Sequence, residues 1–405
     1  MTHYGRSPWT DRFPRSRVPS YPRLKGRHEI EVVVIGGGLT GCATAYAFAA
    51  AGIKVAVLEA AQIGRGATAF SSGWIADDPG ASFVAADQLL GRRTARRGWQ
   101  AWRRAALDFT SLLRRLDIKC QLEPRSTLIV AATPEQAAQL KREQKIRKEA
   151  GLDSPSLNAK AIQAEAAIQA SGGIRLRDGA TLDPYRAAVG LAAAALERGA
   201  QIFERTAVRG TKFGRRTADV LLEDGSIRTK RIIVATGRPT ELFKSLIRHF
   251  WLKSSYLVLT APIPAKVRNQ LGRRAAVIRD LAQPAHVVRW VDDDRLLVAG
   301  ADSADVPPRL REKTMVQRTG QLMYELSTIY PEISGILPEY GWDQPYALTA
   351  EGVPYLGHHR NFPHHLFAFG DASHGVTAAY LASRVLLRHH TGEPDDADEA
   401  FGFNR

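Results

Sequence analysis

Three glycines with a defined spacing mark the first part of the chain where chemistry can be predicted. Gly36, Gly38 and Gly41 fit the pattern G-x-G-x-x-G directly after the β-branched run Val32–Ile35. The first glycine of this pattern permits a tight turn, the second lets the backbone approach a pyrophosphate, and the third lets a helix lie close to a strand. Glu59, at the end of the next apolar run, is suited to accept hydrogen bonds from a ribose, and its charge disfavours a 2′-phosphate. The segment predicts an adenine-dinucleotide site; a glycine turn that only packs a strand on a helix is the alternative.

Two later segments that are rich in small residues extend the predicted site. The run GRGATAFSSGW, from Gly64 to Trp74, suits a loop whose backbone and hydroxyls contact a second phosphate and a ring, with an ordinary polar loop as the alternative. The run GDASHG precedes a predicted helix over 377–389, whose first N–H groups would converge on an anion. A helix that only docks on the sheet is the alternative there. Neither segment is needed by a simple nicotinamide domain, which weakens an NAD-dependent dehydrogenase as an interpretation.

These segments resemble the glycine oxidase and D-amino-acid oxidase family of FAD-dependent enzymes. The resemblance rests on the order strand, GGGLTG, helix, strand, VLEA and GRGATAFSSG, and on the C-terminal runs GWDQPYALTAEGVPYLGHHRN and HLFAFGDASHG. The family segment that returns the chain to the FAD domain is matched by a middle block, GATLDPYRAAVGLAAAALERGAQIFERTAVRG. The gamma-glutamylputrescine oxidase branch is resembled by the N-terminal runs SPWTDRFP and PSYPRLKG. The resemblance extends over most of the chain.

The resemblance implies bound FAD. Phe70 stands where some relatives carry a flavin-linking histidine, so we expect the FAD to be non-covalent. The family often has a Gly-His-Gly-Gly-His-Gly-like run at the position of GDASHG, so Asp371 adds a negative charge there. The glycine pattern and the resemblance together predict these cofactor contacts: Gly36, Gly38, Leu39, Thr40, Gly41, Glu59, Ala60, Arg65, Ala67, Thr68, Ser71, Ser72, Gly73, Val208, Ala235, Thr236, Gly237, Gly370, Asp371, His374, Gly375, Val376 and Thr377.

Three residues are predicted to act on the substrate, each with a structural alternative. Arg289, in the run VVRW, has a planar guanidinium that suits a carboxylate, and surface pairing with Asp280 or Asp292 is the alternative. Tyr256, in KSSYLVLT, lies where relatives place flavin-facing groups, or is a half-buried aromatic residue of a strand. The resemblance puts His374 close to the flavin ring, and a histidine capped into a turn is the alternative.

The predicted reaction is hydride transfer to flavin from the carbon that bears the nitrogen of a small amine or amino acid. An imine results, and water hydrolyses it to a carbonyl compound. Oxygen is the expected electron acceptor, with a quinone or a partner protein as the alternative. A flavin-bearing binding protein without turnover is a further alternative, because a basic surface attracts nucleic acid or anionic membrane. The chain has no HExxH and no CxxC motif, so no metal site is predicted.

An α/β fold (α+β overall) must position these residues, with a discontinuous Rossmann-like FAD-binding domain and an antiparallel-sheet substrate domain. The basic arm is assigned to 1–28, the FAD domain to 29–85, 176–245 and 341–390, the substrate domain to 86–175 and 246–340, and the acidic tail to 391–405. Strands are predicted at 32–35, 54–58, 201–204, 232–234 and 367–369, helices at 39–51, 184–198 and 377–389, and hairpin turns at 224–225 and 292–294.

Composition narrows the class of protein further. The 405 residues include 56 Lys and Arg against 41 Asp and Glu, a formal charge of +15, but no nucleic-acid module accompanies it and nucleic acid is not an expected partner. Two cysteines and no secretory signal suggest a cytoplasmic setting. The uncharged stretch 32–53 is long enough to span a membrane, but its glycines break a helix, so no transmembrane segment is predicted. We expect the basic arm to lie irregularly over the surface and the acidic tail to fray.

Overall fold

The computed structural model of the protein describes residues 1–152, 154–370 and 375–405. The strands, numbered in chain order, are β1 (His3–Tyr4), β2 (Gly26–Glu29), β3 (Val32–Ile35), β4 (Val55–Leu58), β5 (Trp74–Ile75), β6 (Glu123–Pro124), β7 (Ser126–Ala131), β8 (Ser156–Leu157), β9 (Gly172–Leu176), β10 (Ala180–Thr181), β11 (Gln201–Phe203), β12 (Gly210–Phe213), β13 (Ala218–Leu221), β14 (Gly225–Thr229), β15 (Arg231–Gly237), β16 (Trp251–Thr260), β17 (Ala276–Arg279), β18 (Val287–Val291), β19 (Arg295–Ala304), β20 (Pro338–Leu348), β21 (Tyr355–His358) and β22 (His365–Phe369).

The helices, also in chain order, are α1 (Pro8–Asp11), α2 (Leu39–Ala50), α3 (Phe83–Leu90), α4 (Arg92–Arg115), α5 (Pro134–Glu149), α6 (Ala159–Ala166), α7 (Pro184–Glu197), α8 (Ala265–Arg268), α9 (Pro308–Ile329) and α10 (Val376–Thr391). Short 3₁₀ segments lie at Arg15–Arg17, Ala67–Phe70, Glu241–His249, Pro331–Ile333 and Asp396–Phe401.

A six-stranded sheet with the order β11-β4-β3-β15-β22-β21 carries the glycine turn. All neighbouring strands are parallel except β21 and β22. Every residue of β3 is buried, as expected for a parallel strand that is covered on both faces. The chain leaves β3 at the point where strand order reverses between β4 and β15. Ligands of open α/β sheets bind outside the carboxyl ends of the strands at such a point.

Alternate residues of β3 pack on opposite faces of this sheet. Val32 and Val34 belong to a core cluster with helices α2, α7 and α10. Val33 and Ile35 belong to a second cluster with the four-stranded sheet β12-β13-β14-β2 and the segment Glu241–His249. Helix α2 contacts both α7 and α10, and its alanine-rich sequence permits this close packing.

A nine-stranded sheet with the order β1-β20-β16-β19-β18-β17-β7-β9-β8 forms the other half of the molecule. It was predicted to be antiparallel, but β1 runs parallel to β20 and β17 runs parallel to β7. Tyr256 and Val258 of β16 pack on the face that carries α9. Leu257 and Leu259 pack on the opposite face with Trp74 and other residues from the nucleotide-binding half. The two halves therefore share a buried apolar layer.

The mixed α/β fold and the predicted elements are confirmed, with differences at their ends. The predicted turn at Ala235–Gly237 is the last part of β15, where the pairing with β22 shifts register after Val234. The predicted domain boundary at residue 341 falls inside β20, which lies between β1 and β16 in the nine-stranded sheet. The other boundaries stay predictions.

Both chain ends are packed against the protein, and the expectations of an irregular arm and a fraying tail were wrong. Trp9 and Phe13 of the arm are buried in the apolar layer between the two halves. Phe401 of the tail is also buried, and Asp398 forms an ion pair with Arg388 of α10. The arm has too few apolar residues to show a periodic pattern, and the acidic tail meets basic helices that are distant in sequence.

The uncharged stretch 32–53 is divided between β3 and α2. No described helix combines the length and hydropathy of a membrane-spanning segment. Within 1–152, 154–370 and 375–405, no group of His, Cys, Asp or Glu side chains is arranged to hold a metal ion. Cys42 and Cys120 are free and buried, and burial raises the pKa of both thiols, so neither has the character of a reactive thiolate.

Candidate functional site

The glycine turn has contacts that exclude larger residues. Gly36 has φ +106°, and a β-carbon there would lie 2.8 Å from the backbone oxygen of Ala235. A β-carbon on Gly41 would lie 1.9 Å from the backbone oxygen of Gly36. The first and third glycines of the pattern are thus required by geometry, because the turn lies against β15 and α2 begins directly on the turn.

Glu59 lies beside the same turn. Its carboxylate accepts hydrogen bonds from the backbone N–H groups of Gly37, at 2.7 Å, and Ala61, at 2.8 Å. The side chain is half-buried, so one end is fixed while the carboxylate remains near the surface. Ala60 is exposed, and Val208 is half-buried against the cluster below β4. This places the predicted ribose-binding acid at the carboxyl end of β4, next to the glycines.

The loop 64–74 reaches the start of α2. The hydroxyl of Thr68 accepts a hydrogen bond from the backbone N–H of Leu39 at 2.8 Å. A β-carbon on Gly38 would lie 3.1 Å from the same hydroxyl oxygen. The exposed Arg65 places its guanidinium 5.7 Å from the ring centre of Tyr185. The loop therefore closes over the N-terminal turn of α2, where N–H groups favour an anion.

Three side chains from the other half of the protein hold this loop by its backbone. Consecutive carbonyl oxygens of residues 70–72 accept hydrogen bonds from Trp342 Nε1 at 2.9 Å, Trp9 Nε1 at 2.9 Å and Arg289 Nε at 2.6 Å. The donors come from β20, the N-terminal arm and β18. The loop conformation is thus determined by residues far away in sequence.

One cavity of about 350 Å³ brings the predicted segments together. It is lined by residues of the α2 start, the loop 64–74, the end of β15 and the start of α10. The predicted cofactor residues that line it are Leu39, Thr40, Ala67, Thr68, Ser71, Thr236, Gly237, Gly370, Gly375 and Val376. Gly36, Gly38, Gly41 and Glu59 lie along the path that leads from this cavity to the carboxyl ends of β3 and β4.

Arg289 does not line this cavity, and the structure gives its guanidinium a different use. The side chain is 5% exposed and donates hydrogen bonds to the backbone oxygens of Ser72 and Leu182. It also lies 5.1 Å from the ring centre of Trp9. Burial lowers the pKa of Arg289 to about 10, although nearby Asp183 favours the charged form. Neither the predicted substrate clamp nor the alternative surface ion pair is supported by this position.

The other predicted residues are distributed as follows. Tyr256 is buried against the α9 side of the nine-stranded sheet, and its hydroxyl lies 3.4 Å from Ser303 Oγ. The hydroxyl of Thr377 donates to the backbone oxygen of Ala76 at 2.8 Å, so this side chain anchors α10. Gly73, like Ser72, lies under the loop outside the cavity lining, and Ala235 is buried in β15. His374 and Asp371 lie outside the described residues.

Four polar residues of the cavity lining were missed by the sequence analysis. They are Arg238, Arg311, Gln344 and Tyr346. Gln344 and Tyr346 stand in the run GWDQPY, which was quoted for the resemblance, so they were within reach of a pattern-based prediction. Arg311 is one of several charged residues in α9, and its sequence surroundings do not distinguish it.

Acidic partners hold these four residues in place. Arg311 donates to Asp343 from Nε and Nη2, both at 2.9 Å, and Arg238 Nη1 donates to Asp305 at 2.9 Å. The hydroxyl of Tyr346 donates to Asp302 at 2.5 Å. The hydrogen bond to Asp343 raises the pKa of Arg311 above its ordinary value. This end of the cavity therefore has charged groups in fixed orientations.

The residues present fit a dinucleotide. The cradle at Gly36–Gly41 has no room for side chains at its first and third glycines, which keeps the backbone accessible. The hydroxyl of Ser72 is fully buried and has no hydrogen-bond partner among the described residues. A buried polar group of this kind is usually satisfied by a ligand or water.

Comparison with known proteins agrees with this geometry. A sequence model of the family described as "FAD dependent oxidoreductase" matches residues 31–388. The gamma-glutamylputrescine oxidoreductase of Escherichia coli (strain K12) is 26% identical over 373 residues, which cover 91% of this chain and 85% of that protein. The probable oxidoreductase OrdL of Haemophilus influenzae is 24% identical over 388 residues, which cover 94% of this chain and 87% of that protein.

Solved structures share the fold over nearly the whole chain. The L-proline dehydrogenase from P. horikoshii has a TM-score of 0.75 at 17% identity and covers 92% of this chain and 98% of its own. The glycine oxidase from Geobacillus kaustophilus has a TM-score of 0.72 at 18% identity and covers 91% of this chain and 96% of its own.

Proposed function

The chain belongs to the family of FAD-dependent oxidoreductases, and on this basis we propose that it oxidises the carbon–nitrogen bond of a small amine or amino acid. FAD is the cofactor of the family. Similar proteins include a gamma-glutamylputrescine oxidoreductase and a glycine oxidase, whose names indicate an amine and an amino acid. Oxygen is the proposed electron acceptor, and hydrogen peroxide the proposed by-product.

The observation that carries this proposal is the single cavity that three distant segments line. Leu39 belongs to the glycine-turn segment, Thr68 to the small-residue loop, and Gly375 to the C-terminal block. A nucleotide turn alone requires only the first of these segments. The joint lining supports a cofactor that extends from the glycine turn to the start of α10, with a substrate beside it at the Gln344 end.

The bound flavin would supply two-electron oxidation, in which a carbon–nitrogen single bond becomes an imine. In the proposal, N–H groups of the first turn of α2 hold the pyrophosphate and Glu59 holds the ribose. The first turn of α10, at Val376, stabilises negative charge on the ring edge. Phe70, together with apolar lining residues such as Leu356, limits water and favours a neutral substrate nitrogen.

The purified protein tests this proposal directly. We expect a yellow protein whose flavin is released by acid or heat denaturation, because the proposed FAD is non-covalent. Under anaerobic conditions, one class of a panel of amines and amino acids should bleach the flavin absorbance. A colourless protein that refuses added FAD contradicts the proposal, and so does a yellow protein that no member of the panel bleaches.

The electron acceptor needs a separate measurement. We expect the reduced flavin to be reoxidised rapidly by dissolved oxygen in a stopped-flow experiment, with formation of hydrogen peroxide. Slow reoxidation by oxygen but fast reoxidation by a quinone analogue would identify a dehydrogenase instead. Turnover with any amine excludes a binding protein without catalysis. A cytoplasmic location stays a prediction, which fractionation of the source cells can check.

A further inference from the structure

The polar end of the cavity separates two substrate classes, amines with a carboxylate group and amines without one. Arg238, Arg311, Gln344 and Tyr346 line this end, and the rest of the lining is mostly apolar or backbone. A ligand that reaches this end meets two guanidinium groups. Guanidinium groups bind carboxylates through parallel hydrogen bonds, and in a partly buried site such pairs are strong.

The orientation of Arg311 is determined by Asp343. The Asp343 side chain is 7% exposed, whereas that of Arg311 is 52% exposed. Asp343 occupies Nε and Nη2 of the guanidinium, and Nη1 makes no hydrogen bond with the described residues. One edge of the guanidinium is thus anchored to a buried acid, and the other edge stays available to a ligand in the cavity.

Gln344 offers a second polar contact beside this guanidinium. The residue is 4% exposed, and its side-chain oxygen is buried without a partner among the described residues. An unsatisfied buried acceptor costs stability, and a ligand N–H donor removes that cost. A substrate amine nitrogen supplies such a donor.

We propose that Arg311, positioned by Asp343, binds a carboxylate of the substrate and that Gln344 accepts a hydrogen bond from its nitrogen. The substrate class is therefore an amine that carries a carboxylate, either an amino acid or a longer amine with a carboxylate end. This inference rests on the proposed function, because the nitrogen must lie beside the flavin, but carboxylate binding can be measured without turnover.

The test uses the FAD-loaded enzyme and two probes of similar shape, propionate and propionamide. Binding is followed through perturbation of the flavin absorbance spectrum. We expect propionate to bind at least tenfold more tightly than propionamide, and Arg311→Gln to remove this preference. The matched control is Arg309→Gln, an exposed arginine of the same helix outside the cavity lining, which should bind propionate like the parent protein.

A second variant covers the case in which Arg311→Gln fails to fold, since that change leaves Asp343 buried without its partner. The double variant Arg311→Gln, Asp343→Asn removes both charges and should fold while showing the same loss of propionate binding. Thermal unfolding checks the fold of each variant. With a substrate that bleaches the flavin, Arg311→Lys should raise KM more than it lowers kcat.

The outcomes distinguish this inference from the proposed function. If propionate binding is unchanged in Arg311→Gln, or if carboxylate-free amines bleach the flavin as fast as amino acids, the carboxylate site is overturned and the oxidoreductase proposal stands. If propionate binds through Arg311 but no amine or amino acid bleaches the flavin, the carboxylate site is supported and the amine-oxidation proposal is overturned.

Discussion

The closest approach in the nucleotide turn is between Gly41 and the backbone oxygen of Gly36, where a β-carbon would lie at 1.9 Å. Gly41→Ala must therefore push α2 away from the turn, and we expect a loss of about 1–3 kcal/mol in the free energy of unfolding. FAD binding should also weaken, because the first turn of α2 moves. Flavin-to-protein absorbance and thermal unfolding measure the two effects.

Gly320 provides the control for this change. It lies in α9 with open space around its α-carbon, so Gly320→Ala should leave FAD content unchanged and stabilise the helix by up to about 1 kcal/mol. Full FAD occupancy and an unchanged melting temperature in Gly41→Ala would contradict the geometry of the turn.

At the scale of elements, the N-terminal arm supports the loop 64–74. Trp9 is 4% exposed and donates to the backbone oxygen of Ser71, and its ring lies against the guanidinium of Arg289. We expect Trp9→Ala to destabilise the protein by about 3–5 kcal/mol, because a large buried side chain is lost. FAD affinity should fall as well, since the loop loses one of its three side-chain donors.

Trp251 is the matched control for the arm, since it is a tryptophan at the start of β16 that is 57% exposed. Trp251→Ala should change the free energy of unfolding and the FAD affinity much less. Urea unfolding and titration of the apoprotein with FAD compare the two variants. Equal effects of both substitutions would show that the arm is not a specific support.

At the scale of the whole molecule, two histidines should limit stability on opposite sides of neutral pH. Hydrogen bonds to Asp280 and Glu325 raise the pKa of His286 to about 9, so its contribution is complete below pH about 6.5 and is lost as the pH rises through 9. Burial lowers the pKa of His365 to about 4. Its neutral form is favoured in the folded state, so stability declines as the pH falls from about 6.5 towards 4.

Substitutions separate these two contributions. His365 is fully buried, stacks on Phe367 and has no hydrogen-bond partner for either ring nitrogen among the described residues. His365→Phe should flatten the acid side of the stability profile by up to about 3 kcal/mol. His286→Gln should remove the alkaline dependence, and substitution of the exposed His28 should change neither side. Urea unfolding between pH 4.5 and about 9.5 gives the profiles; curves with unchanged slopes in both variants would refute this assignment.

Sequence by itself determined the elements whose signals are local. The glycine turn, the strands on either side of α2 and the position of Glu59 depend on residues that are close together in the chain. Steric limits on the backbone and the period of apolar residues act over a few residues, so they can be recognised without knowledge of the fold. The family resemblance followed from the same segments, and the match over 31–388 confirms it.

The tertiary structure alone decided which charged residues line the cavity. Arg289 and Arg311 are both arginines of ordinary sequence surroundings, yet one is buried behind the loop and the other is half-exposed in the cavity lining. The difference arises because β18 presents Arg289 towards the backbone of Ser72, whereas α9 carries Arg311 to Asp343 of β20. Such placement depends on how a helix and two strands pack across the molecule, and no local pattern of residues encodes that distance.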